Sequence, residues 1–306
     1  MSEHVDVLPT QGVPSQSARS ISWRDYLELT KPRVVALMIL TSLIGMLLAT
    51  PGVPGWSVLI YGNMGIALLA GAAAVVNHVV DQKIDTIMAR TRKRPVATGK
   101  ISPVEAIVFA ALLACIGMVV LMWQVNHLTA WLTLASLVGY AGVYTLFLKR
   151  ATPQNITIGG LAGAMPPLLG WTAVTGQVDG HALLLVLIIF AWTPPHFWAL
   201  AIHRKEEYAK AGIPMLPVTH GNKFTELHIL LYTLMLLAVS LLPFVTGMSG
   251  WIYLAGALVL GLRFLHYAIR LLKGDDRRVA LNTFKYSITY LMVLFVVLLV
   301  DHFVYF

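Results

Sequence analysis

A single cysteine, Cys115, occurs among the 306 residues. That excludes an internal disulfide and any paired-thiolate metal or redox motif. Its position inside an apolar segment reads as a small packing residue. Charge is also scarce: 12% of residues are charged against 58% hydrophobic, with a mean hydropathy of +0.75. A soluble globule of that composition would precipitate, and the apolar residues fall in long blocks. The expected class is an all-α, polytopic membrane protein.

Lysine and arginine are missing altogether from four loops, 51–56, 125–126, 175–180 and 247–250. The alternate set holds nearly all of the 22: four in residues 19–33, six in 80–100, Lys149 and Arg150, four in 204–223 and five in 270–285. This asymmetry predicts a cytoplasmic amino terminus, long charged loops on the cytoplasmic side and a periplasmic carboxyl terminus, in the cell inner membrane. The net charge of +8 is then a topology signal, with some cations free to meet anionic lipid headgroups. No nucleic-acid partner is expected. Residues 1–22 are polar and lack an apolar signal-peptide core, so a disordered cytoplasmic leader is expected there.

A helix needs roughly 20 apolar residues to cross the hydrocarbon core. Nine such segments are predicted: 34–50, 57–79, 104–124, 127–148, 156–174, 181–203, 226–246, 251–271 and 284–303. They leave room for one domain only, 23–306. The eighth carries Arg263 and His266, so its inner half is expected to face protein.

The chemistry concentrates after the second segment. Asn77, Asp81 and Asp85 step four residues apart and are followed by Arg90, Thr91, Arg92, Lys93, Arg94 and Pro95. In a helix continuing from that segment, the three oxygen-bearing side chains share a face. Hard oxygen ligands beside a block of guanidinium groups suit a magnesium diphosphate. The plainer alternative is juxtamembrane charges paired with Lys83 and Arg90.

Two further blocks carry polar residues. Lys149, Arg150, Thr152 and Asn155 form a short turn, followed by small residues that allow close helix packing and by Pro166 and Pro167 at mid-span, where a kink is expected. Pro194 and Pro195 are expected to interrupt the sixth segment. His196 and His203, seven residues apart, share a face and read either as haem contacts or as hydrogen-bonded core residues. Glu206 and Glu207 then open a charged loop that either faces the first cluster across a cavity mouth or is simply solvated.

Taken together, Asn77-x3-Asp81-x3-Asp85 with MARTRKRPVATGKIS, then YTLFLKRATPQNITIGG, then WTPPHFWALA with EEYAKAGIPMLPV, resemble the protohaem IX farnesyltransferase (haem O synthase) family. That family is a branch of the UbiA-type intramembrane prenyltransferases. The resemblance runs from about Lys31 to the carboxyl terminus, with departures at Lys83 and Glu207, where many members carry Asp. It implies nine helices around a central cavity, with farnesyl diphosphate, haem B and water giving haem O and diphosphate. It implies Mg2+ held by Asn77, Asp81 and Asp85, a second ion toward Glu207, and diphosphate neutralised by Arg90, Arg94, Lys149 and Arg150. Tyr144, Phe147 and Trp198 are candidates to stabilise an allylic cation, and His196 then His203 to contact haem. Implied partners are the bilayer and a haem A synthase or terminal oxidase subunit. An aromatic-acid or chlorophyll-type prenyltransferase would lack the WTPPHFWALA block. An ion-coupled transporter would show internal repeats, which this sequence does not.

Overall fold

The computed structural model describes residues 21–274 and 277–305; the Arg150 side chain, Asp275, Asp276, Phe306 and the first 20 residues, which include most of the expected leader, lie outside the described residues. Every described element is helical.

Helix starts follow from local chemistry. Ser22 and Asp25 form a capping box on α1 (Trp23–Leu29), and α2 (Pro32–Leu48) has proline at its first turn. Lys31, between them, adopts a left-handed backbone with φ of 51°, and the two helices meet at 55°. The long α3 (Trp56–Val80) ends at Asp81, whose backbone (φ −84°, ψ 0°) hands over to the single turn α4 (Gln82–Asp85). A second capping box, Ser102 with Glu105, starts α5 (Pro103–Gln124). The Asn126 side chain caps α6 (His127–Val138) by accepting from the Thr129 N–H at 2.8 Å.

From Gly139 to Leu148 the fourth span continues as π-helix, a wide turn often found at functional sites, into the short α7 (Lys149–Ala151). The fifth span is divided at Met165 into α8 (Asn155–Ala164) and α9 (Pro166–Thr175), as the proline pair predicts. Next come α10 (Gly180–His203), α11 (Lys205–Lys210), α12 (Leu216–Thr219), α13 (Gly221–Val245), α14 (Trp251–Gly274) and α15 (Arg277–Tyr305). Among the described residues seven helices are long and apolar enough to cross a bilayer, the bent α1–α2 pair makes an eighth, and α8 with α9 fills the remaining predicted segment. All nine predicted segments therefore correspond to helix.

Three expectations fail. Pro194 and Pro195 do not interrupt α10, which runs unbroken through them. The carbonyls they leave without N–H donors are those of Phe190 and Ala191, and the stretch from Ala191 to His196 is buried, so neighbouring helices hold it in place. Arg263 and His266 point away from the core: both are exposed, and the Arg263 guanidinium meets the Tyr286 ring 5.1 Å from its centroid. Cys115 packs nothing in the core, because the outer face of α5 leaves it exposed.

The core forms where α10 is enclosed by α8, α9, α13 and α15. Close approach is extreme where α2 crosses α9. A methyl group on Gly45 would stand 2.2 Å from the Pro167 carbonyl oxygen, and one on Gly170 would stand 2.0 Å from that of Ser42. Only hydrogen fits at either position. This crossing sets one wall of the cavity described next.

Candidate active site

A cavity of about 650 Å³ opens among α2, α3, the π-helical stretch, α8 and α10. Its mouth is ionic. Asp81, only 2% exposed, accepts from Lys149 Nζ at 2.5 Å and from Asn77 Nδ2 at 2.9 Å. Asp85, 3% exposed, accepts from Arg94 at 2.7 Å. Asn77 Oδ1 is engaged by Lys31 Nζ, and Asn77 Nδ2 reaches Thr145 Oγ1 at 3.4 Å. Both carboxylates at the mouth thus have a cation, which offsets the cost of burying their charge.

Local backbone explains the alignment. The Asp81 N–H donates to the Asn77 carbonyl and the Asp85 N–H to the Asp81 carbonyl, so a four-residue step survives the change from α3 to α4. The Asn77–Asp81–Asp85 face is retained, although the helix itself is not continuous. Thr91 Oγ1 donates to the Asp85 carbonyl at 3.1 Å and folds the basic loop back over the acids. Arg90 is exposed at the cavity mouth. The wide turn of the π-helix brings Tyr140 and Tyr144 to the cavity wall and Lys149 to Asp81; Thr145 Oγ1 donates five residues back, to the Tyr140 carbonyl.

Along α10 the lining becomes aromatic and apolar, with Trp192 and Phe197 in the same cavity as small residues of α8. His196 is there too, its ring stacked between Trp192 at 4.1 Å and Phe284 at 4.6 Å. A separate groove of about 1090 Å³ between α1, α2, α3 and α5 is almost wholly apolar, and the ion-paired cluster has no part in it.

The predicted residues divide accordingly. Asn77, Asp81, Asp85, Arg90, Arg94, Lys149 and His196 all line the one cavity. His203 and Glu207 do not. Seven residues along α10, His203 lies roughly 10 Å further down the axis than His196. On α11, Tyr208 takes the cavity side, Glu207 lies 3.9 Å from Arg204, and Glu206 pairs with Arg277 at 2.6 Å. The hydrogen bond from Arg277 holds the Glu206 carboxyl below its ordinary range. Of the aromatic candidates, Tyr144 lines the cavity, Phe147 is 70% exposed, and Trp198 is buried in a separate cluster with Ile229 and Leu271. Arg150 lies outside the described side chains. Lys31, Tyr140 and Ser287 escaped the sequence reading. Only the proximity of Lys31 to the first span could have flagged any of them.

Asp81 Oδ1 is buried and makes no hydrogen bond among the described residues. No group of three or more His, Cys, Asp or Glu gathers among those residues. Two carboxylates and an amide are too few to cage an ion, but hard oxygens of this kind suit Mg2+ that takes its remaining ligands from substrate phosphates.

Residues 38–299 match the UbiA prenyltransferase family. The chain belongs to that family. It is 88% identical over 288 residues to the protoheme IX farnesyltransferase of Marinobacter nauticus, covering 94% of this chain and 95% of that one. Its fold is similar to that of a digeranylgeranylglyceryl phosphate synthase, with a TM-score of 0.78 at 20% identity, over 92% of this chain and 98% of the other. A UbiA homologue from Archaeoglobus fulgidus bound to GPP and Mg2+ is similar at a TM-score of 0.59 and 16% identity, over 90% and 99%.

Proposed function

We infer that this protein transfers the farnesyl group of farnesyl diphosphate to a vinyl group of haem B, with addition of water, giving haem O and diphosphate. The observation that carries this is the 88% identity to a protoheme IX farnesyltransferase, maintained over 94% of the chain. The cavity supports it, with a charged mouth for a diphosphate and an aromatic interior for an isoprenoid and a porphyrin.

Asn77, Asp81 and Asp85 would hold Mg2+, a reading supported by the orphaned Asp81 oxygen and by the GPP and Mg2+ bound to the Archaeoglobus homologue. Bound there, the ion would neutralise the diphosphate and favour its departure. Arg90, Arg94 and Lys149 supply positive charge where the leaving group accumulates negative charge. Lys149 and Arg94 already reach the carboxylates, so diphosphate entry exchanges one anionic partner for another. We assign the same role to Arg150 from its place beside Lys149. We keep Glu207 as a candidate for a second ion only if α11 rotates.

The Tyr140, Tyr144 and Trp192 rings face the space where an allylic cation would form, and desolvated aromatic faces stabilise cations by about 2 kcal/mol. His196 is the haem contact we favour. The positive-inside pattern supports an inner-membrane protein with a cytoplasmic amino terminus and periplasmic carboxyl terminus. A farnesylated product stays in the bilayer, so we place its consumer, a haem A synthase or terminal oxidase subunit, in the same membrane.

Mass spectrometry of haems extracted from cells that lack their own enzyme and express this chain tests the reading. Haem O is the expected product; haem B alone, with the protein present in the membrane, refutes it.

A further inference from the structure

Ser287 sits on α15, fully buried and 91 residues from His196 in sequence, with its Oγ 2.6 Å from His196 Nδ1. The same Oγ lies 2.6 Å from the Phe284 carbonyl oxygen. A hydroxyl has one proton to give, and a carbonyl can only accept. The Ser287 proton therefore goes to Phe284, and the bond to His196 requires Nδ1 to be the donor. That fixes the tautomer: Nδ1 carries hydrogen and Nε2 carries a lone pair.

The surroundings hold this arrangement still. Trp192 and Phe284 cover the two faces of the imidazole, and Trp192 Nε1 donates to the Ser287 backbone carbonyl at 2.7 Å. Among the described residues Nε2 makes no hydrogen bond, although His196 lines the cavity. A nitrogen lone pair is thus oriented in an aromatic chamber and unused by the diphosphate site.

Resting on the farnesyl-transfer reading above, we propose that His196 Nε2 is the acceptor for the proton released when water adds, and that Ser287 is the positioning residue for it. The farnesyl C1–oxygen bond to diphosphate breaks as the terminal vinyl carbon of haem B bonds to C1, leaving a cation on the inner vinyl carbon. A water oxygen gives its lone pair to that carbon while one of its protons passes to Nε2; no oxidation change occurs at iron or carbon beyond this addition. Without an acceptor aligned on the water, the cation instead gives up a neighbouring proton to the departed diphosphate, leaving a farnesylated product that lacks the water.

The ratio of hydrated to unhydrated farnesyl haem reads this out in the full-length protein in membranes, with haem B and farnesyl diphosphate supplied. Ser287→Ala and His196→Gln should each lower that ratio, His196→Gln by about a hundredfold or more, the low end for a lost acid–base group. Affinity for a non-hydrolysable farnesyl diphosphate analogue should stay at the wild-type value, and Ser287→Thr, which keeps the hydroxyl, should restore the ratio. A wild-type ratio in either Ser287→Ala or His196→Gln overturns the inference while farnesyl transfer stands. A wild-type protein that adds no farnesyl group to haem B overturns the transfer reading, and this inference with it.

Discussion

Lys149 Nζ donates to Asp81 Oδ2 across 68 residues of sequence, joining the π-helical end of the fourth span to the break between α3 and α4. The pair closes the charged mouth of the cavity with groups that a magnesium diphosphate would separate and re-use. Removing either partner leaves a buried charge uncompensated, which typically costs about 3–5 kcal/mol. Lys149→Met is therefore expected to lower thermal stability in detergent as well as turnover. Unchanged stability in that variant would show that the pair is not maintained in the membrane.

Asp81→Ala and Asp85→Ala should each reduce haem O formation by far more than tenfold, because a lost metal ligand exceeds the ~1.4 kcal/mol that a factor of ten represents. Membrane insertion should be retained. If both variants keep over a tenth of wild-type product, measured by haem mass spectrometry with magnesium present, the carboxylates do not hold the metal.

Arg94 pairs with Asp85 at 2.7 Å and lines the same cavity as His196. Arg94→Ala is expected to weaken binding of a farnesyl diphosphate analogue by roughly ten- to a hundredfold, the value of one charge-assisted hydrogen bond. Haem B affinity, followed by absorbance, should hardly change. Equal losses for both ligands would place Arg94 in the general architecture and not at the diphosphate.

The α2–α9 crossing is the place where added volume is least tolerated. Gly45→Ala and Gly170→Ala each drive a methyl group against backbone, which cannot rotate away, and should cost about 1–3 kcal/mol or more. Gly163→Ala, with nothing within 4 Å of the new carbon, should be neutral or stabilising. Melting temperatures in one detergent compare the three; parity between Gly45→Ala and Gly163→Ala would contradict the crossing.

Sidedness can be read by thiol labelling in a Cys115→Ser background. Single cysteines at the exposed positions Gln177 and Thr246 should react with an impermeant reagent from the periplasm, and one at the exposed Thr98 only after the membrane is opened. The opposite pattern would reverse the proposed orientation and move farnesyl diphosphate delivery to the other face.

Sequence by itself determined which stretches are helical spans, because a bilayer admits only helices or closed barrels and the apolar blocks have helical length. It also determined the shared face of Asn77, Asp81 and Asp85, since i, i+4 spacing is local geometry that survives even the break at Asp81. Tertiary structure alone decided which charges meet. Lys31 reaches Asn77 from 46 residues away and Ser287 orients His196 from 91, and no periodicity records such pairs. It also decided what stays out: Glu207 and His203 have suitable chemistry, but the rotation of α11 and the length of α10 carry them off the cavity wall. Even the unbroken run of α10 through Pro194 and Pro195 depended on neighbours, because proline weakens a helix locally and the surrounding packing holds it helical.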